Sequence, residues 1–384
     1  MNTQIEPRAK ATRAVDLRTG RPPDVEILAC ATYDFLLSIH VCLASADYDY
    51  ADFEVGRGWI DSARRRCNER DPQALPTLGR YLGDGRPGSL SATLISLVWR
   101  CPEPRDTPSF LAWLGQIPAE QLAEVLLDQE GLGADWIESL GPALKGDKRV
   151  LPKLISRYPD DLQPTVTTVL RDIEGARAEL LGALAVWNEA VFAGERERIL
   201  PLVRREAESL ERKRAETPLE PFLDDVMHGV RWQRPTGLRR IVFAPSYFCR
   251  PAVFYHFWHG VLTFCAPIVY ATPDVRRDDP RAPDEETLRF FLALGDPSRL
   301  RILRLLAERE MYLTELSERL DLTKATTKHH MVKLRDAGLV TLYVRERLTY
   351  YALRQDVTRH SAQLLGRYLS QPVDRSQSTG NGAR

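Results

Sequence analysis

Short polar and cationic residues are concentrated between residues 324 and 354 of this 384-residue chain. This segment holds seven lysines and arginines and two acidic residues, although the whole chain has a formal net charge of zero. Such side chains donate hydrogen bonds to base edges and phosphate oxygens, and phosphate binding requires a locally basic surface. The pattern therefore predicts contact with double-stranded DNA through Lys324, Thr326, Lys328, His329, Lys333, Arg345 and Arg347.

The residues around this segment, from about Asp284 to Asp356, predict the elements that position it. Apolar residues recur at helical spacing before residue 338 and alternate with polar residues after it. Asp296 and Thr323 suit helix N-caps, and Pro297 suits the first turn of a helix. The predicted elements, in order, are a short helix ending near Gly295, helices over Ser298–Ala307 and Thr314–Leu320, a third helix from Thr323 to about Ala337, and strands over Leu339–Val344 and Leu348–Leu353.

The same spacing predicts which side chains face inward. In the third helix, Thr327, Met331 and Leu334 fall at i, i+4 and i+7. The two earlier apolar helices are predicted to pack through Leu288, Phe291, Leu292 and Leu294, and through Leu300, Ile302, Leu303 and Leu306. The result is a helix-turn-helix followed by a two-stranded hairpin, or wing, with Arg345 and Arg347 near its tip. Such a helix enters the major groove, while the hairpin reaches phosphates or the minor groove.

At these residues the sequence resembles the ArsR family of bacterial and archaeal winged-helix repressors. The matching runs are LGDPSRLRILRLLAE, LTELSERLDL, TKATTKHHMVKLRDAGLV and the hairpin end YYAL, roughly a fifth of the chain. The resemblance implies a homodimer on a palindromic operator, with groove-reading residues at Lys324, Thr326, Lys328 and His329. Glu346 departs from the family pattern, which usually has glycine at the hairpin tip.

The segment from about Leu180 to Tyr270 resembles, more loosely, the long N-terminal half of certain actinobacterial-type ArsR regulators. The shared features are a helix bearing WNEAVF, a charged helix LPLVRREAESLERKR, and the strand and turn IVFAPSYFCRP. This likeness supports a regulatory role and does not identify the signal.

The overall pattern predicts a mainly α fold, in which a helical N-terminal domain with a small β region precedes a C-terminal winged helix-turn-helix. The predicted divisions are a disordered leader over residues 1–23, a sensor or dimerisation domain over 24–270, a linker over 271–283, the DNA-binding domain with its C-terminal helix over 284–370, and a disordered tail over 371–384. Two or three strands are predicted over Arg240–Ala244, Ala252–Trp258 and Val261–Ala266. A helix break is predicted at Gly194, with Pro201 in the first turn of the next helix.

The residues offer little support for a metal site. Tyr312 and Thr314 occupy the positions at which many ArsR proteins have metal-binding cysteines, and they cannot supply thiolates. Asp356 and His360 lie four residues apart on the C-terminal helix, and a lone pair of this kind is usually structural.

The densest group of soft ligands is Cys249, His256, His259 and Cys265. In predicted strands, residues three apart point to opposite faces, which argues against a shared zinc ion. Arg250 beside Cys249 would favour a thiolate that senses oxidation, but packed thiols are the favoured interpretation. The sequence therefore predicts no metal and no cofactor.

No nucleophile elbow, phosphate loop or acid pair in a recognisable context is present, so no catalytic residue is predicted and the chain is not expected to be an enzyme. The aromatic residues between 247 and 264 are expected in the core, with the wall of a small-molecule pocket as the alternative. No apolar stretch is long enough to cross a bilayer, and the N-terminus lacks a secretion signal. A cytoplasmic protein without membrane contact is expected.

These features together favour a homodimeric transcriptional repressor that responds to an unidentified signal, with room for a small-molecule effector. Two alternatives stay open. An enzyme or ligand-binding domain fused to a DNA-binding module predicts a polar cleft with perturbed ionisable groups. A winged helix used for protein docking predicts an apolar face around residues 324–333.

Overall fold

A computed structural model of the chain describes residues 22–43, 55–83, 91–128, 135–226, 230–231, 237–249, 254–268, 283, 285–345, 348–354 and 357–370. The leader predicted for residues 1–23, apart from its last two residues, lies outside these ranges. The same holds for the linker predicted over 271–283, apart from residue 283, and for the whole tail over 371–384.

The first half of the chain is helical, and its helices bury one continuous apolar cluster that includes Tyr33, Phe110 and Trp187. Successive helices are short and separated by turns, in keeping with the many prolines. The helices are Ala31–Leu43 (α1), Gly56–Arg70 (α2), Ala74–Leu82 (α3), Ser91–Leu97 (α4), Thr107–Leu114 (α5), Ala119–Leu127 (α6), Asp135–Leu144 (α7), Val150–Ile155 (α8), Gln163–Arg171 (α9), Ile173–Trp187 (α10), Ala193–Glu216 (α11) and Leu219–Val226 (α12).

The break predicted at Gly194 is wrong. Helix α10 continues through a π-helical turn over Asn188–Phe192 directly into α11, and Pro201 lies inside α11. Phe192, Ile199 and Val203 are fully buried at helical spacing across this region. Glycine and proline cost about 1 and about 3 kcal/mol in a helix interior. Burial of a continuous apolar stripe offsets those costs, so the chain stays helical.

A four-stranded sheet packs against the helices in the order β1-β3-β5-β4. Its strands are Asp24–Ile27 (β1), Arg240–Ser246 (β3), Phe254–Trp258 (β4) and Val261–Pro267 (β5); β1 and β5 are parallel to β3, and β4 is antiparallel to β5. The three strands predicted after residue 239 are confirmed. The sequence did not predict β1, whose four residues are too short to show a period.

The carboxylate of Asp34 joins α1 to the turn that follows β3. Its Oδ1 accepts hydrogen bonds from the Ser246 hydroxyl and from the backbone N–H groups of Tyr247 and Phe248, at 2.6, 2.8 and 3.1 Å. The Oδ2 atom is buried and has no hydrogen-bond partner among the described residues. Burial raises the pKa of Asp34 to about 6, against the lowering effect of these three hydrogen bonds.

The C-terminal part forms the predicted mainly α winged helix, with its own apolar cluster from Phe290 to Leu364. A second sheet, in the order β2-β7-β8-β6, includes a strand that lies before β3 in the chain. The elements are Val230–Arg231 (β2), Glu285–Leu294 (α13), Pro297–Glu308 (α14), Met311–Tyr312 (β6), Leu313–Leu320 (α15), Lys324–Asp336 (α16), Val340–Arg345 (β7), Leu348–Leu353 (β8) and Val357–Ser370 (α17).

Two leucines predicted to face inward point outward instead. Leu300 is 50% exposed and Leu292 is 63% exposed. In α14 the buried stripe consists of Ile302, Leu303 and Leu306, and Leu300 lies more than 90° around the helix from its centre at 100° per residue. In α13, Phe290 is buried and Leu292 lies about 200° around the helix from it.

The titration of Asp34 gives the first testable prediction. Its folded-state pKa of about 6 exceeds the unfolded value of about 3.9, so the folded state binds a proton more tightly. Stability is therefore lost as the pH rises from about 4 to about 6. Asp34→Asn keeps an acceptor oxygen and does not titrate. Between pH 4 and 7 its free energy of unfolding should fall less than that of the wild type, by on the order of 3 kcal/mol, in chemical denaturation.

The buried amide nitrogen of the variant lowers its stability at every pH, so the slope and not the absolute value is compared. Glu208→Gln, at an exposed position of α11, serves as the matched control and should follow the wild-type slope. Parallel pH profiles for Asp34→Asn and the wild type would contradict the assignment.

Candidate nucleic-acid interface

Local hydrogen bonds set the start of each helix in the helix-turn-helix, which comprises α14, α15 and α16. The Asp296 carboxylate accepts from the backbone N–H groups of Ser298 and Arg299 at 2.8 and 3.0 Å, with Pro297 in the first turn of α14. At the start of α15, the backbone N–H of Tyr312 donates to the Glu315 carboxylate at 3.2 Å. These side-chain carboxylates accept hydrogen bonds from backbone N–H groups at the helix start, which have no acceptor within the helix.

The turn between α15 and α16 is tight because two residues adopt the conformations it requires. Asp321 has a left-handed backbone with a φ of 56° and ends α15. Thr323 then caps α16, as predicted: its hydroxyl oxygen accepts from the Thr326 backbone N–H at 3.1 Å. The Thr327 hydroxyl donates to the carbonyl oxygen of Thr323 at 3.0 Å. Helix α16 therefore begins at a defined residue.

The inward face of α16 is the predicted one. Thr327, Met331 and Leu334 are 0–1% exposed. Met331 and Leu334 belong to the apolar cluster of the C-terminal part, together with residues of α14 and α15. This burial fixes the rotation of α16 about its axis.

The remaining faces of α16 hold five of the predicted DNA-binding residues. Lys324, Thr326 and Lys333 are exposed, and Lys328 and His329 are half-buried. At 100° per residue, Lys328 lies one turn above Lys324, and Lys333 lies on the side of Thr326. The exposed surface of the helix therefore holds these five residues over about 200° of its circumference, with four of them in its first two turns.

His330, which the sequence analysis did not single out, connects α16 to α14. Its Nδ1 atom lies 3.9 Å from Oδ1 of Asp296, and burial lowers the pKa of His330. The Asp296 carboxylate thus caps α14 and also lies beside α16. No sequence signal separates His330 from His329 except its position on the helix, which places it closer to the buried stripe.

The wing is a two-stranded hairpin formed by β7 and β8. Val340 is paired with Leu353 at one end of the ladder, and Arg345 with Leu348 at the other. Arg345 therefore ends β7 at the tip of the hairpin, as predicted. Arg347, a predicted DNA-binding residue, and Glu346, which departs from the family pattern at the hairpin tip, lie outside the described residues. The base of the wing is joined to the end of α16 by the Arg354 guanidinium, which donates to the carbonyl of Gly338 at 3.5 Å.

The candidate soft ligands are dispersed. His256 on β4 is bonded through Nδ1 to the Ser96 hydroxyl at 2.9 Å, and burial lowers its pKa to about 4. His259, in the β4–β5 turn, contacts the Glu124 carboxylate. Cys249 and Cys265 are buried, and neither forms a disulfide within the described residues. Among the described residues, three or more metal-ligating side chains do not converge anywhere.

Two further predicted candidates are only partly described. Arg250 and Asp356 lie outside the described residues. His360 packs edge-on against Phe290 of α13, with ring centroids 5.5 Å apart. Phe248 and Phe264 are fully buried and Tyr255 is 42% exposed, so most of the aromatic group lies in the core.

Comparison with known proteins assigns this arrangement to a class. Residues 296–341, which include α14, α15 and α16, match the family described as "Bacterial regulatory protein, arsR family". The class is that of helix-turn-helix DNA-binding transcriptional regulators. No solved structure matches the chain. Within the described residues, no helix has the length and apolar character needed to cross a membrane.

Two curated relatives, both HTH-type transcriptional regulators, support the assignment to this class. An uncharacterised HTH-type transcriptional regulator, YceK, of Bacillus subtilis (strain 168) is 36% identical over 75 residues, which are 19% of this chain and 75% of the relative. A second, MJ1325 of Methanocaldococcus jannaschii, is 32% identical over 82 residues, 21% of this chain and 92% of the relative. The chain belongs to the ArsR family, and most of its length lies outside the shared region.

The cap of α16 can be tested by substitution. Thr323→Val removes the hydroxyl that accepts from the Thr326 N–H and should cost about 1 kcal/mol of local stability. Amides in the first turns of α16 should then exchange with deuterium about fivefold faster, measured by mass spectrometry. Thr323→Ser is the matched control and should retain wild-type protection. Equal loss in both variants, or none in the valine variant, would contradict the capping role.

Proposed function

We propose that the protein is a homodimeric, sequence-specific transcriptional repressor that binds a palindromic operator through α16 and the wing. The observation that supports this most is the outward surface of α16, where lysines, a threonine and a histidine stand on a helix whose opposite face is buried. A protein-docking helix would instead present an apolar face there. The proposal includes no catalytic activity, and its place of action is the cytoplasm.

The residues of α16 divide into two roles. Lys324, Thr326, Lys328 and His329 lie in the first two turns, the part of a recognition helix that meets base edges. Lys333 lies one turn before the end of α16 and is assigned to a phosphate contact. Arg345, which ends β7, and Arg347, which the sequence predicts near the wing tip, are assigned to phosphates flanking the major groove.

The homodimer is supported by apolar side chains on two adjoining helices. Helices α13 and α17 contact each other, and each presents leucines to solvent. Leu292 is 63% exposed on α13, and Leu365 and Leu369 are 44% and 70% exposed on α17. Leu365 and Leu369 lie one turn apart, on the same side of α17. A second copy would cover these leucines and place two α16 helices against successive major grooves.

A signal from the N-terminal part has a direct route to the wing. The two residues of β2 follow α12 closely and pair in parallel with Leu342 and Tyr343 of β7. A ligand that binds one position of α11 and α12 more tightly than another favours the tighter-binding position. The free energy available to move the wing is the difference between the two binding free energies. In this proposal an unidentified effector weakens operator binding by changing the spacing of the two α16 helices.

Substitutions in α16 test the DNA-binding surface. Lys328→Ala and His329→Ala should each weaken binding to the protein's own promoter fragment about tenfold and should reduce sequence preference. Lys333→Ala should weaken binding evenly across sequences and flatten the salt dependence by about one unit of slope. The measurement is a fluorescence anisotropy titration at several salt concentrations.

Lys148→Ala is the matched control, because Lys148 is an exposed lysine of the helical N-terminal part. It should leave both affinity and slope unchanged. Wild-type affinity and preference in the Lys328→Ala and His329→Ala variants would remove α16 from the interface. The absence of salt-sensitive DNA binding by the wild type would overturn the proposed function.

Charge placed on α17 tests the dimer. Leu365→Glu combined with Leu369→Glu should give a monomer in light scattering after size exclusion, because two carboxylates cannot be buried unpaired at an apolar interface. Affinity for a single half-site should change less than affinity for the full operator. Ile137→Glu, at a position 47% exposed on α7, is the control and should remain a dimer. A dimeric double variant would exclude this face.

A further inference from the structure

A cavity of about 420 Å³ lies where the carboxyl end of β1 meets α1, α5 and α11. Leu28 and Cys30, which follow β1, form one wall, and Leu200 of α11 lies on another. Ligand sites in α/β sheets typically lie outside the carboxyl ends of parallel strands. The volume falls in the range of small-molecule sites, which is about 300–1,000 Å³.

Two arginines on the α11 wall have no direct acidic partner among the described residues. Arg196 and Arg204 are eight residues apart on α11 and both line the cavity. Neither forms an ion pair or a hydrogen bond within the described part of the chain. The carboxylates of Glu103 and Asp106 also line the cavity; Glu103 is paired with Arg105, and the pKa of Asp106 is lowered most by the Ser109 backbone N–H and least by the charge of Arg196. Two cationic groups therefore border the cavity without a bonded counter-ion.

The third arginine of the cavity is already ion-paired within the wall. The Nε of Arg105 donates to the Cys101 carbonyl at 2.9 Å, and its Nη1 donates to the Glu103 carboxylate at 2.5 Å. Arg105 thus shapes the wall, and the charge that a ligand would meet comes from α11.

A buried hydroxyl at the same cavity also lacks a partner in the part of the chain that the structure describes. Thr107, the first residue of α5, lines the cavity and is 1% exposed, and its Oγ1 has no hydrogen-bond partner among those residues. Buried hydroxyl groups are almost always hydrogen-bonded, and an exception calls for an explanation. Helix α1 begins at Ala31 in the same wall, and the first N–H groups of a helix have no acceptor within it and favour anions.

We propose that this cavity binds a small organic anion, with a phosphate or carboxylate group held by Arg196 and Arg204 and hydrogen-bonded to Thr107. Its apolar part packs against Leu28 and Leu200. The larger cavity, about 510 Å³ beside Arg64, is less suited to an anion. There the Arg64 guanidinium is already bonded to the Cys42 carbonyl at 2.6 and 3.0 Å.

The position of the site gives the anion a means of acting on DNA binding. Arg196 and Arg204 stand on α11, which leads through α12 to β2 and so to β7 of the wing. The role of the anion as an effector rests on the proposed function, whereas the binding of the anion to the cavity is independent of that function.

The experiment uses the full chain and phenyl phosphate and benzoate as probes, with benzyl alcohol as an uncharged counterpart. Binding is measured by isothermal titration calorimetry. Phenyl phosphate should bind the wild type with a Kd near or below about 1 mM, and benzyl alcohol should bind at least tenfold more weakly. The double variant Arg196→Gln and Arg204→Gln should weaken phenyl phosphate binding by about tenfold or more, since two charge-assisted hydrogen bonds are lost.

Thr107→Val, which keeps the shape of the side chain, should weaken binding by a smaller factor. Arg205→Gln is the matched control, because Arg205 is exposed on the same helix and does not line the cavity. Lys324→Ala combined with Lys333→Ala tests for binding at the DNA surface instead. Arg205→Gln and the double lysine variant should each bind the probes as the wild type does.

The proposal is overturned by wild-type affinity in the double arginine variant, by equal binding of benzyl alcohol, by loss of binding in the α16 variant, or by the absence of saturable binding of either anion. Promoter-fragment binding is measured on the same preparations. A failed probe titration with intact DNA binding rejects the anion site alone. Intact probe binding without DNA binding rejects the proposed function alone.

Discussion

Burial of Thr327, Met331 and Leu334 determines what α16 can present to DNA. These three side chains pack into the apolar cluster formed with α14 and α15, and they allow one rotation of α16 about its axis. A rotation by one residue, about 100°, would carry Lys328 toward the core, where an unpaired charge is costly. The outward placement of the cations therefore follows from the inward packing of the other face. The Thr323 cap fixes the remaining degree of freedom, the residue at which the helix begins.

The charge of the α16 surface is local, and several charges elsewhere are paired within the described part of the chain. Arg157 with Asp135 and Arg309 with Glu315 are examples, at 2.5 and 2.8 Å. Lys324 and Lys333 have no carboxylate within 4.0 Å among the described residues. Exposed ion pairs add little stability, but they neutralise the field at the surfaces where they occur. A chain of zero net charge can in this way keep a cationic patch that attracts phosphates over about one Debye length.

The sequence was sufficient to predict the elements where the local rules for capping and amphipathicity agree with the burial in the fold. Asp296, Thr323 and the 3.6-residue period of α16 predicted the helix-turn-helix to within a residue or two, because capping and amphipathicity are local properties. Leu300 and Gly194 were misjudged for opposite reasons. Leu300 is apolar but lies on the solvent-facing side of α14. Gly194 is a poor helix former, but buried residues before and after it, Phe192 and Ile199, keep the segment helical. The cavity beside β1 could not be predicted, since Thr107 and Arg196 are far apart in the chain and come together only through the fold.

Strand β2 is the link through which the proposed effector would act on the wing without disturbing the core of the winged helix. Two residues in parallel pairing contribute few hydrogen bonds, and so short a strand is only marginally stable on its own. Its position therefore depends on α12 and α11, which precede it directly. The α16 packing, by contrast, rests on buried apolar area that a small ligand cannot easily overcome. Under the proposed function, an anion on the α11 wall would move the wing by no more free energy than the difference in its affinity for two positions of α11.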